Sequence, residues 1–254
     1  MRPMPFSREY SSIYDLLYTN KDYHGEVDLI EQVITKYKPN VRKILDYGCG
    51  TGAHAEPLAL KGYEIFGIDK NPNMLAIAEQ KLNNHKNVHL YNASERRAID
   101  LGSIDLCITL FDVLSYMNRD EELEDYLSYV GDVLTEKGLL IFDFWYGPGV
   151  INIGPEKRWK EYEEGGKKLI RLTNPVHNHD DCVVASMHEV LIFDRNTLTN
   201  RFAERHDMRY FFKSEIFVRL KIFGFEVLNF GTWKDLYTPP TVTDWSALVV
   251  ARKV

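Results

Sequence analysis

The feature that most constrains this chain is a short glycine-rich loop. Residues 46–52 read DYGCGTG, with glycine at every second position after Tyr47. A short apolar run precedes the loop, and residues 53–61 have a helical pattern. Glycine lets a ligand approach the main chain closely, and a helix start offers free N–H groups. The sequence therefore predicts a strand, a tight loop and a helix that together bind a small ligand.

The spacing of the glycines excludes two common kinds of nucleotide loop. No Gly-Lys-Ser/Thr follows, so the lysine of a nucleoside triphosphate site is missing. The pattern is G-x-G-x-G and differs from the G-x-G-x-x-G of dinucleotide-binding proteins, which disfavours a dehydrogenase, as does the lack of a Ser/Tyr-x-x-x-Lys group. A second predicted strand, residues 63–68, ends in Asp69, about 20 residues after the loop, where a carboxylate can accept hydrogen bonds from a ribose diol.

This ordered set resembles the class I S-adenosylmethionine-dependent methyltransferases. The residues that carry the resemblance are Asp46, Gly48, Gly50, Gly52 and Asp69, and it extends over nearly the whole chain. It implies an enzyme that binds S-adenosylmethionine and releases S-adenosylhomocysteine. Among these enzymes, the chain looks most like those that methylate nucleotide-linked amino sugars.

The remaining pattern predicts an α/β fold with a mostly parallel, doubly wound, Rossmann-like sheet of seven strands. Predicted strands 3 to 5 cover 88–91, 104–111 and 138–145, and helices cover 23–37, 72–82 and 121–134. After a break at Gly147-Pro148-Gly149, three strands at 167–172, 182–193 and 201–212 predict an antiparallel β lid inserted after strand 5. A helix at 213–223 and strands at 225–230 and 246–252 complete the sheet. The expected domains are 1–146 (core with an N-terminal lid helix), 147–212 (lid) and 213–254 (end of the core).

The resemblance implies a cofactor site along the carboxyl ends of the strands. Its expected members are Tyr14, Tyr23, Asp46, Gly48, Cys49, Gly50, Asp69, Lys70, Met74, Asn92, Ala93, Ser94 and Phe111. Met74 falls where relatives pack a side chain on the adenine ring, although a methionine that fills a core gap has the same pattern. Asn92 or Ser94 stands where many relatives have an acid that holds the adenine amino group.

Four side chains are candidates for orienting and deprotonating the methyl acceptor: Tyr14, Asp112, Tyr116 and His206. Asp112 and Tyr116 follow the fourth predicted strand, whose carboxyl end faces ligands in open α/β sheets; Asp112 is equally compatible with a helix N-cap. By the resemblance, Tyr14 lies near the methyl group and His206 matches a lid histidine of amino-sugar methyltransferases. Tyr116 stands where those relatives tend to have histidine. His188, like His206, lies in a predicted strand, where a lone histidine is typically a satisfied core group.

The acceptor is expected to be small and anionic. Its expected binding residues are Trp145, Tyr146, Arg158, Arg171 and Arg209, since guanidinium groups make bidentate contacts with phosphate; alternating arginines also occur on solvated faces. We expect methylation of N or O on a nucleotide-linked amino sugar of surface-polysaccharide or natural-product biosynthesis. A phosphorylated or phosphoramidate capsule precursor is an alternative acceptor, and a non-catalytic protein that binds the cofactor is an alternative function.

Composition and charge limit the kinds of partner that this protein can bind. The net charge is 31 − 37 = −6, which argues against nucleic acid, and no apolar run reaches the ~18 residues of a membrane span. Residues 1–6 lack the apolar core of a secretory signal, and three cysteines indicate reduced thiols. We therefore expect a cytoplasmic protein that is a monomer or homodimer. We expect no metal site, because the His177-Asn178-His179 stretch is typical of a hairpin turn.

Overall fold

The computed structural model describes residues 5–254. The absence of a secretory signal was predicted from residues 1–6, and the first four of these lie outside the described residues. The helices are α1 (Arg8–Ser12), α2 (Tyr14–Leu17), α3 (Tyr23–Tyr37), α4 (Ala55–Leu60), α5 (Pro72–Leu82), α6 (Asp120–Val133), α7 (Gly147–Ile153) and α8 (Lys213–Ile222), with a 3₁₀ helix at Val113–Tyr116. The strands are β1 (Lys43–Tyr47), β2 (Glu64–Asp69), β3 (Val88–Asn92), β4 (Ile104–Thr109), β5 (Leu134–Trp145), β6 (Arg158–Glu164), β7 (Lys167–Asn178), β8 (Val183–Asp194), β9 (Thr197–Arg209), β10 (Phe225–Gly231) and β11 (Ser246–Lys253).

Seven of these strands form one twisted sheet in the order β10-β11-β5-β4-β1-β2-β3. The strands from β5 to β3 are parallel, and β11 is antiparallel to both of its neighbours. The central strands are apolar because helices cover both faces. The fold class predicted from the sequence is confirmed.

Side chains that alternate along the strands divide the core into two layers. Ile44 and Leu106 face the layer under α3, α4 and α5, whereas Leu45 and Cys107 face the layer under α6 and α8. The helix α3 shows why the pattern folds this way. Its buried residues recur at helical spacing, and the Asp22 carboxylate caps its first turn by accepting from the Gly25 N–H at 2.8 Å.

A second, antiparallel sheet, here called the lid sheet, is formed by β6, β7, β8 and β9 between α7 and α8. Three strands were predicted here, and the number is wrong because β6 was missed. Strand β6 is an edge strand that pairs only with β7, and most of its side chains are exposed. Its sequence is therefore rich in charged residues and lacks the alternation of apolar and polar residues that predicts a strand. The predicted chain break at residue 147 is also wrong, since Pro148 lies in the first turn of α7, a position that suits proline.

Residues 5–18, here called the N-terminal arm, lie against the inner face of the lid sheet. Tyr10 and Leu17 of the arm pack with Leu169 and Val190 of the lid in a small apolar cluster. The arm therefore connects the lid sheet to the carboxyl edge of the large sheet.

Candidate active site

A cavity of about 350 Å³ lies between the carboxyl edge of the large sheet and the lid sheet. Four parts of the chain line it: the glycine loop, the segment after β4, the N-terminal arm and the inner face of the lid sheet. This is the edge at which open α/β sheets bind ligands.

The glycine loop forms one wall. Gly48, Gly50 and Gly52 have φ angles of +83°, +55° and +79°, which side chains other than glycine rarely adopt. A Cβ atom on Gly48 would also lie 2.6 Å from Cγ1 of Val113. The loop therefore depends on glycine, and its main chain is open toward the cavity.

Asp69 holds this loop from the end of β2. Its Oδ2 accepts a hydrogen bond from the Gly50 N–H at 2.9 Å, and its Oδ1 accepts from the Asn71 N–H at 2.7 Å. Asp69 also lines the cavity. Because each carboxylate oxygen can accept a further bond, Asp69 can bind a pair of ligand hydroxyls.

Asp46 lies buried beneath the loop and does not line the cavity. Its Oδ2 has no hydrogen-bond partner among the described residues. Burial raises the pKa of Asp46 to about 6, and the charge of Asp69 adds to this effect while His54 opposes it. Burial likewise raises the pKa of the neighbouring Cys49 thiol, so Cys49 is not an activated nucleophile.

The structure brings most of the other expected cofactor residues to the cavity. Those that line it are Tyr14, Tyr23, Gly48, Cys49, Gly50, Asp69, Lys70, Met74, Ala93 and Phe111. Asn92 and Ser94 do not line it. They bond to each other instead: Asn92 Oδ1 accepts from the Ser94 N–H at 3.0 Å and from the Ser94 hydroxyl at 2.7 Å.

Tyr116 and His206 form a hydrogen-bonded pair in the opposite wall. The Tyr116 hydroxyl lies 2.8 Å from Nδ1 of His206, which joins the 3₁₀ helix after β4 to the lid strand β9. Nε2 of His206 is buried and has no partner among the described residues. Burial raises the pKa of Tyr116 well above its usual value, so Tyr116 is a neutral phenol at neutral pH.

Tyr14 lines the same cavity, and its ring packs against Phe6 and Tyr18 at centroid distances of 5.8 and 4.8 Å. Burial, followed by the neighbouring tyrosines, raises its pKa well above the usual value. Tyr14 is therefore an uncharged hydroxyl, suited to orienting a ligand by hydrogen bonding.

Asp112 follows β4 in an unusual backbone conformation. Phe111 and Asp112 have consecutive φ angles of +63° and +60°, a region that costs energy for side chains other than glycine. The Asp112 N–H donates to Asp143 Oδ1 at 2.8 Å, and the Ser246 hydroxyl donates to Asp112 Oδ1 at 3.1 Å. As the residue before the 3₁₀ helix it makes no side-chain capping bond. Burial, then the charge of Asp143, raises its pKa to about 7.

Three of the five expected acceptor residues line the cavity: Trp145, Arg158 and Arg171. Tyr146 and Arg209 do not. Side chains alternate across a strand, so Arg209 faces away from His206, and it forms ion pairs with Asp120 and Glu215.

Tyr146 follows Trp145 and points to the other side, where its ring packs on Phe230 at 5.9 Å. Tyr146 and Arg209, both expected at the acceptor, therefore lie outside the lining of this cavity.

Several cavity residues were not predicted. Tyr10 and Tyr18 line the cavity with Tyr14, and their four-residue spacing along the arm is a signal that could have found them. Phe6 lines it as well, and no pattern in the sequence marks that residue. His188 also lines the cavity, although its Nδ1 has a bond of 3.0 Å with the Thr173 hydroxyl, as expected of a satisfied core group.

No group of three or more potential metal ligands comes together within residues 5–254. His177 and His179 stack on each other at 3.7 Å beside the β7–β8 turn. Among the same residues, every helix is too short or too polar to cross a bilayer.

Residues 44–138 match a family described as a methyltransferase domain. The putative methyltransferase YqeM of Bacillus subtilis is 27% identical over 220 residues, which are 86% of this chain and 85% of that protein. A Streptomyces fradiae protein named dTDP-3-amino-3,6-dideoxy-α-D-glucopyranose N,N-dimethyltransferase is 27% identical over 66% of each chain. The solved structure of the sugar N-methyltransferase KedS8 from Streptoalloteichus has a TM-score of 0.80 at 23% identity and covers 100% of this chain and 95% of its own, a likeness of fold.

Proposed function

We propose that this S-adenosylmethionine-dependent methyltransferase methylates the amino nitrogen of a nucleotide-linked amino sugar. The methyltransferase resemblance found in the sequence is confirmed by the matched domain and relatives. Three relatives are named as N,N-dimethyltransferases of dTDP-linked amino sugars, which supports the acceptor class. The observation that carries the proposal is the Tyr116–His206 pair, which faces the glycine loop across a cavity that also contains a buried arginine.

The residues of the loop fit S-adenosylmethionine. The open main chain at Gly48 and Gly50 suits the close approach of the cofactor, and Asp69 suits the ribose hydroxyls. Asp46, which does not line the cavity, lies buried directly beneath this loop. Met74 lines the same region, with its Cε 3.3 Å from where a Cβ of Gly50 would stand, and would pack on the adenine.

The protein's own part in the chemistry is alignment and proton removal. S-adenosylmethionine supplies a methyl group that its sulfonium charge already activates, so positioning of the acceptor dominates. An amine must also lose its proton before its nitrogen can attack. Tyr116 can donate its hydroxyl proton to His206 Nδ1 and accept a hydrogen bond from the amine on its own oxygen. With a pKa of about 7, Asp112 is a second group able to take a proton near neutral pH.

A location in the cytoplasm and a role in surface-polysaccharide or natural-product synthesis belong to this proposal, since nucleotide-linked sugars are the expected acceptors. We also propose a monomer or homodimer that acts without nucleic acid.

The test is methylation of paired acceptors by the purified protein with S-adenosylmethionine. dTDP-linked 3-amino and 4-amino sugars are compared with dTDP-linked sugars that carry hydroxyls at those positions, and products are identified by mass spectrometry. Addition of one or two methyl groups to the amino sugars alone is expected. Methylation of only the hydroxyl compounds, or only of small phosphorylated compounds without a nucleotide, would contradict the proposed acceptor.

A further inference from the structure

We infer that Arg171 binds an oxyanion of the acceptor, and that filling this site enables His206 to hold the proton released by the amine. The inference rests on the proposed function, because the oxyanion would be a phosphate of the nucleotide-linked sugar. It adds a coupling between substrate binding and proton transfer.

Arg171 is a buried cation that has no counter-ion among residues 5–254. Its side chain lies on the inner face of β7 at the cavity wall, and the residue is only 5% exposed. It donates to the hydroxyls of Tyr10 and Tyr18 at 3.3 and 3.4 Å, and no carboxylate in the described part of the chain forms an ion pair with it. Nε of Arg171 is buried with no partner there. A buried charge ordinarily has a partner of opposite sign.

Tyr10, which accepts a hydrogen bond from Arg171, does not supply that charge. Burial raises the pKa of Tyr10 well above its usual value, so Tyr10 is neutral at pH 7. By contrast, the partly buried Arg209 and Arg219 each contact Asp120 and Glu215. Arg171 therefore lacks what those arginines have, and a cavity that opens onto it can bring an anionic ligand.

Groups from every neighbouring element face His206. Phe6 and Tyr10 of the arm lie 5.0 and 5.1 Å from its ring, and His188 of β8 lies at 5.1 Å. Tyr116 contacts its Nδ1. On its own strand, Glu204 is the nearest inward-facing acid, two residues away.

Charges of both signs lie around His206. Glu204 accepts from the Ser7 N–H at 3.2 Å and from the Ser7 hydroxyl at 2.8 Å, so its carboxylate is already bonded. Lys70 lies 6.0 Å from the Tyr116 ring, and Arg158 and Asp112 also line the cavity. Arg171 reaches toward His206 through Tyr10, whose hydroxyl and ring contact the two side chains respectively.

Burial, and after it the charge of Arg171, lowers the pKa of His206 to about 4. In the free protein His206 is therefore a neutral imidazole that holds a proton poorly. An oxyanion on Arg171 offsets the guanidinium charge, so the pKa of His206 rises. The base then becomes effective when the acceptor is in place.

The proton transfer balances without any further reactant. The acceptor ammonium passes one proton to the Tyr116 oxygen, while Tyr116 passes its own hydroxyl proton to Nδ1 of His206. Tyr116 remains a neutral phenol, His206 becomes an imidazolium, and the nitrogen keeps its lone pair for attack on the methyl carbon. Because His206 becomes positively charged, the guanidinium of Arg171 repels it and opposes this step unless an anion offsets the charge of Arg171.

The experiment follows the histidine signals of isotope-labelled protein by NMR between about pH 3.5 and about pH 7, a range that spans the pKa of about 4 of buried His206 and the usual histidine pKa of ~6.5. His206→Gln assigns the signal. S-adenosylhomocysteine is present throughout, and sodium sulfate or thymidine diphosphate is added against sodium chloride at equal ionic strength. Sulfate keeps a constant charge across the titration, and the diphosphate shows whether a nucleotide-borne oxyanion reaches the same site.

In the wild type, both anions are expected to move the His206 titration upward by about one pH unit. In Arg171→Gln the titration should already be higher without the anions and should not respond to them. Arg171→Lys, which keeps the charge, should retain the low titration. The control Arg201→Gln changes an exposed arginine paired with Glu189 on the same sheet and should behave as the wild type.

An unchanged His206 titration in the wild type with either anion would overturn the inference, as would an equal response in Arg171→Gln. The measurement requires no methyl transfer. A failure of the amino-sugar assay alongside an intact titration response would therefore count against the proposed acceptor and leave the oxyanion site standing.

Discussion

Asp69 has two tasks at once, because the carboxylate that would hold the cofactor ribose also fixes the glycine loop through the Gly50 N–H. In Asp69→Asn, the amide NH₂ would replace one acceptor oxygen and oppose a backbone N–H. Since hydrogen bonds to charged groups contribute about 1.5–3 kcal/mol, we expect S-adenosylmethionine affinity to fall by roughly ten- to a hundredfold, as measured by calorimetric titration.

The matched control is Asp105→Asn. Asp105 also accepts from two backbone N–H groups, those of Arg42 and Lys43 at 2.9 and 3.2 Å, but it lies outside the cavity. The Asp105→Asn variant should bind S-adenosylmethionine with the same affinity as the wild type. Equal affinities for Asp69→Asn and the wild type would remove Asp69 from the cofactor site.

For single residues, the sequence was informative at positions where the backbone conformation restricts which residue type can stand there. The glycine loop and Asp69 were found because only certain residues suit those positions. Tyr146 and Arg209 face away from the cavity because a shift of one residue along a strand reverses the side that a side chain faces, and composition does not reveal which side that is. The buried, unpaired state of Arg171 could not be predicted, since it depends on which carboxylates the fold brings nearby.

The N-terminal arm is held from two sides. Glu204 of β9 accepts bonds from the Phe6 N–H and from the N–H and hydroxyl of Ser7. The side-chain amide of Asn71, which caps α5, donates to the carbonyls of Pro5 and Phe6 at 2.8 Å each. The arm thus connects the lid sheet to the helix that follows Asp69.

Glu204→Gln should loosen the arm, because an amide replaces one of the two acceptor oxygens and removes the negative charge. We expect cleavage by trypsin after Arg8 to become at least about tenfold faster, which corresponds to ~1.4 kcal/mol. Mass spectrometry of timed digests measures this. Glu189→Gln, on β8 and paired with exposed Arg201, should leave the rate unchanged. Equal cleavage of all three proteins would mean that Glu204 does not hold the arm.

Elements with a strong periodic signal were predicted closely. The helix predicted at 23–37 has those bounds in the structure, because an acidic cap and a regular apolar stripe define it locally. Strand β6 was missed because its own sequence has no strand pattern. It is a strand because it pairs with β7.

The stability of the whole molecule should depend on pH through its buried ionisable groups. Asp112 has a pKa of about 7 in the fold, above the ~3.9 of an unfolded aspartate. Between these values the folded protein binds more protons than the unfolded chain, so the contribution of Asp112 to stability falls as pH rises. His206, with a pKa of about 4, and His188, with a pKa of about 3, act in the opposite direction and destabilise the fold as pH falls below ~6.5.

Asp112→Asn therefore should stabilise the protein at pH 8 by on the order of 2 kcal/mol, and the gain should shrink toward pH 5. Thermal unfolding at the two pH values measures the difference. Asp180→Asn, at an exposed turn, should change neither value. A gain that is the same at both pH values would show that Asp112 does not titrate in this range.

At the scale of the whole chain, the sequence predicted the number of strands in the large sheet from their apolar runs. It did not predict how the arm and the lid meet, since that contact joins segments with no shared pattern.

The bond between Ser7 and Glu204 joins residues 197 positions apart. A ribosome makes the arm before either of its anchors, Asn71 on the cap of α5 and Glu204 on β9, and Glu204 emerges only when most of the chain has been made. Because contacts of high sequence separation form slowly, we expect the arm to meet Asn71 before it meets the lid sheet. A chain whose synthesis stops before β9 would therefore carry the glycine loop with only one of the two anchors that hold the arm.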